Sequence, residues 1–186
     1  MAKTPFKYTL LGQMLRLLRN HAGVTFLFLL FSSLYIYIQK GVFMDYLLAL
    51  IGAGGYLSMI YTTSAKIAAD DKKPTSPAKP NIFRGFILPA VLTVLNIFIV
   101  LCYQKGWNMG ANGPEITSAF GRVSNTVAML WFSTLRPLAV MEKGFIPLYG
   151  YAVLFISPII ASAFGYLAGL KKFSLLNKLK AFIYEK

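Results

Sequence analysis

Residues 85–103, GFILPAVLTVLNIFIVLCY, run for nineteen positions without a charged side chain. A helix needs about 20 apolar residues to cross ~30 Å of hydrocarbon, so this stretch reads as a membrane span. Three more runs behave alike: 23–39, stopped by Lys40; 43–64, with Asp45 close to one end; and 145–170, closed by Lys171 and Lys172. Across the 186 residues, 56% are apolar and only 13% are charged. A soluble chain of this length could not hide that much apolar surface in one core, so the expected fold is all-α, a four-span membrane bundle. QKGVF after residue 38 lacks a small-x-small cleavage site, so the first span is read as uncleaved.

The charge is +13, from 19 Lys and Arg against 6 Asp and Glu. With four spans, 14 of the basic residues fall on the side of the N-terminal segment, the linker 65–84 and the C-terminal tail. The remaining 5 (Lys40, Lys105, Arg122, Arg136 and Lys143) fall on the other. Positive segments resist translocation, so the expectation is a multi-pass protein of the cell membrane with both termini cytoplasmic and residues 104–144 external. Most basic residues flank spans, which points to anionic lipid at the cytoplasmic face and away from nucleic acid.

The linker AKIAADDKKPTSPAKPNIFR holds Pro74, Pro77 and Pro80 and reads as flexible, with Asp70 and Asp71 as solvated charges. Residues 8–20 and 174–183 have helical amphipathic patterns and read as interfacial helices on the cytoplasmic leaflet. Residues 114–136 read as an amphipathic external helix opened by Pro114 and Glu115; at 100° per residue, Ser118, Arg122, Asn125, Ser133 and Arg136 share a stripe about 80° wide. That stripe either rests in water or faces a cavity, with Arg122, Asn125, Arg136 and the mid-span Asn96 as the candidates for an anion or ligand contact. A fifth span over 126–141 is disfavoured, because Arg136 at mid-depth costs about 2.5–3.5 kcal/mol and Pro137 breaks the helix. A tilted or re-entrant placement of this segment stays open.

Small residues let helices approach where no hydrophobic effect drives them together. Ser157, Ala161, Gly165 and Gly169 recur every fourth position in the last span, and Ala49, Ala53, Gly54 and Ser58 have matching spacing in the second. These two helices are expected to pack closely, within the chain or between chains. Pro158 should kink the fourth span, and Asn96 should hydrogen-bond between helices.

Chemistry-bearing constellations are missing. One His (His21), one Cys (Cys102) and scattered carboxylates supply no metal site, no cofactor and no catalytic set, and no nucleotide or hydrolase motif occurs. The expected role is therefore a non-enzymatic accessory or structural subunit whose partner is itself or another membrane protein; the alternative is an oligomeric small-solute transporter or channel subunit.

Lys66–Lys72 (KIAADDK) with Gly85-Phe86, and Gly165-Tyr166-Leu167-Ala168-Gly169 with Lys171, Lys172 and Ser174, resemble stretches of small four-span membrane proteins of low-GC Gram-positive bacteria. The resemblance implies a bacterial inner membrane and this topology. It implies no activity and carries over no catalytic residue.

Overall fold

A computed structural model describes residues 5–36, 42–73, 76, 79–110 and 113–171. The chain is all-α, a polytopic membrane bundle, with four helical stretches long and apolar enough to cross a membrane: Leu10–Phe31, Leu47–Asp71, Arg84–Lys105 and Leu148–Leu170. The expected helix over 174–183 lies outside the described residues. Two strands, Asn108–Gly110 and Gly113–Glu115, form a small antiparallel hairpin beyond the third span. This hairpin marks one end of the bundle, and the segment after Asp71 marks the other, the linker end.

Helix α1, Leu10–Ile36, is continuous, so residues 8–20 are not a separate interfacial helix. Their amphipathicity is inverted relative to a surface helix. Gln13, Leu17 and His21 are buried against the bundle, whereas Leu10, Leu11 and Leu15 are exposed. Lipid rewards that arrangement, because the outer face must be apolar and the polar face needs partners inside. Asn20 Nδ2 accordingly donates to Thr63 Oγ1 on the second helix (2.9 Å).

Helix α2, Val42–Asp71, extends seven residues beyond the span expected to end at 64, so KIAADD is helix and the linker begins only after it. Its buried face recurs at helical spacing through Ala49, Ala53, Tyr56, Ile60, Ser64, Ile67, Ala68 and Asp71. The third span is split into α3, Arg84–Ile87, and α4, Ala90–Lys105, at Pro89, which has no N–H to give.

The fourth span comprises α7, Leu148–Tyr151, a π-helical turn, Ala152–Ile156, and α8, Ser157–Leu170. Pro158 cannot donate to the carbonyl of Leu154 four residues earlier, and the wide turn lies directly upstream of it. Asn96 Nδ2 donates to that freed carbonyl (3.1 Å), so the mid-span asparagine and the proline are two halves of one arrangement.

The most extensive helix–helix interface is between α2 and α8. A side chain at Gly165 would strike the backbone of Tyr61, and one at Gly169 would strike the carbonyl of Ala65. The hydroxyls of Ser64 and Ser162 meet in the same seam (2.9 Å). Ala161 and Ser157 are half-buried farther along α8, and Ser157 Oγ bonds back to the Val153 carbonyl. On α2 the spacing motif divides: Ala49 and Ala53 are buried, whereas Gly54 and Ser58 are exposed. Gly54 lies one residue, about 100°, round the helix from Ala53, which turns it away from the core.

Candidate functional site

The segment between the third and fourth spans is not one helix over 114–136 but a strand, a helix, a turn and a short second helix that fold against the bundle. Pro114 and Glu115 belong to the hairpin strand, and helix α5 runs Ala119–Trp131, with Ser118 at its N-cap accepting from Gly121 N (3.0 Å). Gly121 packs against Gly106, at the hairpin end of α4. Ten residues further, Trp131 Nε1 donates to Asn96 Oδ1 (2.8 Å), ten residues back along α4. Ten residues of helix are ~15 Å, so α5 descends antiparallel to α4 as far as the middle of the span.

The chain turns there at Phe132–Leu135 and continues into α6, Arg136–Ala139. It then climbs back to the hairpin end, where Gly144 N donates to Tyr103 Oη (3.1 Å). Residues 118–145 thus re-enter the bundle, running along α4 to its middle and back to the hairpin end. Irregular backbone at membrane depth is tolerated only where protein or a cavity surrounds it, and Phe132, Thr134 and Leu135 at the tip are buried. Ala128, Ser124 and Gly121 face the bundle, while Phe120, Val123, Val127 and Leu130 face outward. Of the expected polar stripe, Ser118, Arg122 and Arg136 remain exposed beside these apolar residues, while Asn125 and Ser133 are half-buried.

His21 of α1 closes the tip, its ring 4.3 Å from Trp131 and 5.2 Å from Tyr56 between centroids. The four residues Asn96, Trp131, His21 and Tyr56 join α1, α2, α4 and α5 near mid-span.

A cleft of about 650 Å³ opens between α1, α2 and the returning limb. Phe28, Leu48, Met129 and Leu130 supply apolar wall, and Ser133, Arg136 and Glu142 supply the polar lining. Val140 adopts a left-handed backbone (φ 50°), a conformation a β-branched residue rarely takes, and there the chain leaves α6 toward Glu142. Of the four residues singled out for an anion or ligand, only Arg136 lines this cleft. Arg122 is exposed on the outer face of α5, Asn125 is half-buried, and Asn96 is committed to Leu154 and Trp131.

At the linker end the structure assembles a buried charge network that the sequence reading assigned to solvent. Asp71 is not a solvated linker residue. Its side chain is 0% exposed, and Arg84 Nη1 lies 3.2 Å from its Oδ2 with 15% exposure. Tyr166 Oη donates to Asp71 Oδ2 (2.8 Å) and Gln13 Nε2 to Oδ1 (2.7 Å), while Arg84 Nη2 donates to Gln13 Oε1 (3.1 Å). Every partner comes from a different element: α1, α2, α3 and α8.

Gly85 makes this possible. A Cβ there would press on Tyr166 Cβ and Ala163 Cα, so only glycine lets α3 sit close enough to α8 for Arg84 to reach Asp71. Neighbouring Asp70 faces water with Lys73 Nζ (2.6 Å) and, farther away, Arg16 (3.5 Å). The Asp70 carboxylate holds the Lys73 ammonium above the usual lysine range.

The periodicity Ser64, Ile67–Ala68, Asp71 continues the buried face of α2 and was the available signal for this network. For Glu142 and the tip contacts of Trp131 no local signal exists, because they meet their surroundings only once the segment folds back. Among the described residues no group of three His, Cys, Asp or Glu side chains comes together to hold a metal. No family model, curated protein or solved structure matches the chain.

Proposed function

We propose that this chain is a non-enzymatic integral membrane protein, an accessory or structural subunit that works by packing against another membrane protein or a second copy of itself. The carrying observation is where its intramembrane polar groups go. Asn96, Trp131, Gln13, Asp71, Arg84 and Tyr166 are consumed in bonds that lock the bundle. By contrast, α2 leaves Gly54, Gly55 and Ser58 exposed, and a Cβ on either glycine would meet nothing. Close approach of a second helix needs such a surface.

The linker end is the cytoplasmic one in this reading, since Arg16, Lys66, Lys72, Lys73, Lys79 and Arg84 gather there. Anionic lipid of that leaflet would be held by the same charges, and a bacterial inner membrane fits both. The second reading, a subunit that passes a small solute, is favoured only by the Arg136-lined cleft.

A single cysteine at Ser58 in a Cys102→Ser background, cross-linked in native membranes, tests the proposal. The expected result is one discrete adduct that disappears when Gly54→Leu is added. A monomer under all conditions, together with solute flux in liposomes abolished by Arg136→Gln, would transfer the assignment to the transporter reading.

A further inference from the structure

We propose that the cleft between α1, α2 and the re-entrant segment is a binding site for a zwitterionic aminophospholipid, with the lipid phosphate on Arg136 and its ammonium on Glu142. The volume, about 650 Å³, is within the ~300–1,000 Å³ usual for small-molecule sites. Arg136 and Glu142 both line it, yet neither forms an ion pair with the other or with any described side chain. Ser133, the third polar residue of the lining, has a buried hydroxyl without a hydrogen-bond partner.

An unpaired guanidinium directly after the mid-span tip is costly in hydrocarbon and calls for an anion. A phosphate meets its fixed, paired donors well. Glu142 in the same lining opposes a second negative charge and attracts a primary ammonium, which favours a headgroup carrying both signs.

The occupant is a lipid because of what rims the cleft. Leu130 and Val140 of the lining are exposed, as are the adjoining Leu47 and Leu50 on α2 and Leu30 on α1. The mouth therefore faces acyl chains, and Phe28 and Leu48 offer them a wall. A water-soluble zwitterion would gain nothing from that wall.

The test uses the full chain in mild detergent, with retention of phosphatidylethanolamine and phosphatidylglycerol read by native mass spectrometry. Losing a charge-assisted contact should lower phosphatidylethanolamine retention at least about tenfold in Arg136→Gln. Glu142→Gln should erase the preference for phosphatidylethanolamine over phosphatidylglycerol, and Arg122→Gln, outside the cleft, should match the wild type. Arg136→Lys keeps the charge and should keep most of the lipid. Soluble glycerophosphoethanolamine, which lacks acyl chains, should not displace it.

Equal retention by wild type and Arg136→Gln would overturn the site, as would a wild-type preference for phosphatidylglycerol. Displacement by glycerophosphoethanolamine would overturn the lipid as occupant. Loss of lipid in both Arg136 variants with an equally lowered melting temperature would mark a structural role and overturn it too.

Discussion

Asp71→Ala should destabilise the bundle by about 3–5 kcal/mol, the usual cost of removing one partner from a buried ion pair. The substitution strands Arg84 at 15% exposure and takes away the acceptor used by Tyr166 Oη and Gln13 Nε2. Because those donors belong to α1, α3 and α8, the loss should register as cooperative loosening of the linker end, read as a lowered midpoint of thermal unfolding in detergent. A paired replacement, Asp71→Leu with Arg84→Met, should recover the part of the loss due to the stranded charge, while Tyr166 Oη and Gln13 Nε2 still lack their acceptor. Recovery in the double variant distinguishes a stranded charge from a simple packing defect.

Gly165→Leu is the second large effect. The new side chain would be driven into the Tyr61 carbonyl and Cα, which are helix backbone and cannot swing aside. Overpacking ordinarily costs about 1–3 kcal/mol and more where backbone must move, so folded monomer should be largely lost on size exclusion in detergent. Phe164→Ala, next along α8 but on its exposed face, exchanges one apolar surroundings for another and should leave the profile close to wild type. Similar profiles for the two variants would mean that α2 and α8 are not held by the Gly165 contact.

How much of this was legible in the sequence differs by element. The four spans were, because hydrocarbon imposes length and apolarity on any helix that crosses it. Their ends were not: the first and second spans continue through Gln13, Arg16, Lys66 and Asp71, and charge was read as the stop signal. A charged residue ends a span only when it must face water, and Asp71 faces Arg84 instead.

Asn96 was legible as interhelical glue, although its acceptor, the Leu154 carbonyl left free by Pro158, needed the packed structure to identify. The stripe on 114–136 holds only in part: Ser118, Arg122 and Arg136 are exposed and Asn125 and Ser133 half-buried, and the single helix it assumed ends at Trp131. A polar stripe says which residues share a face, and α5 turns part of that face inward because Val123, Val127 and Leu130 are what lipid accepts. Arg136 reached the cleft from that stripe. Glu142 came from beyond a left-handed turn at Val140 that no periodicity announces.

Residues 118–145 are expected to enter the membrane and return to the side they came from. Single cysteines at Thr117 and Lys143, flanking this segment in a Cys102→Ser background, test it most directly with a membrane-impermeant maleimide on sealed, oriented vesicles. A nitroxide at Leu130, on the exposed face just before the tip, reports depth in the same preparation. The re-entrant account predicts that both flanking cysteines are labelled from the same side, and that the Leu130 nitroxide is relaxed by oxygen and shielded from an aqueous nickel chelate. Labelling of Thr117 and Lys143 from opposite sides would make the segment a fifth span and contradict it.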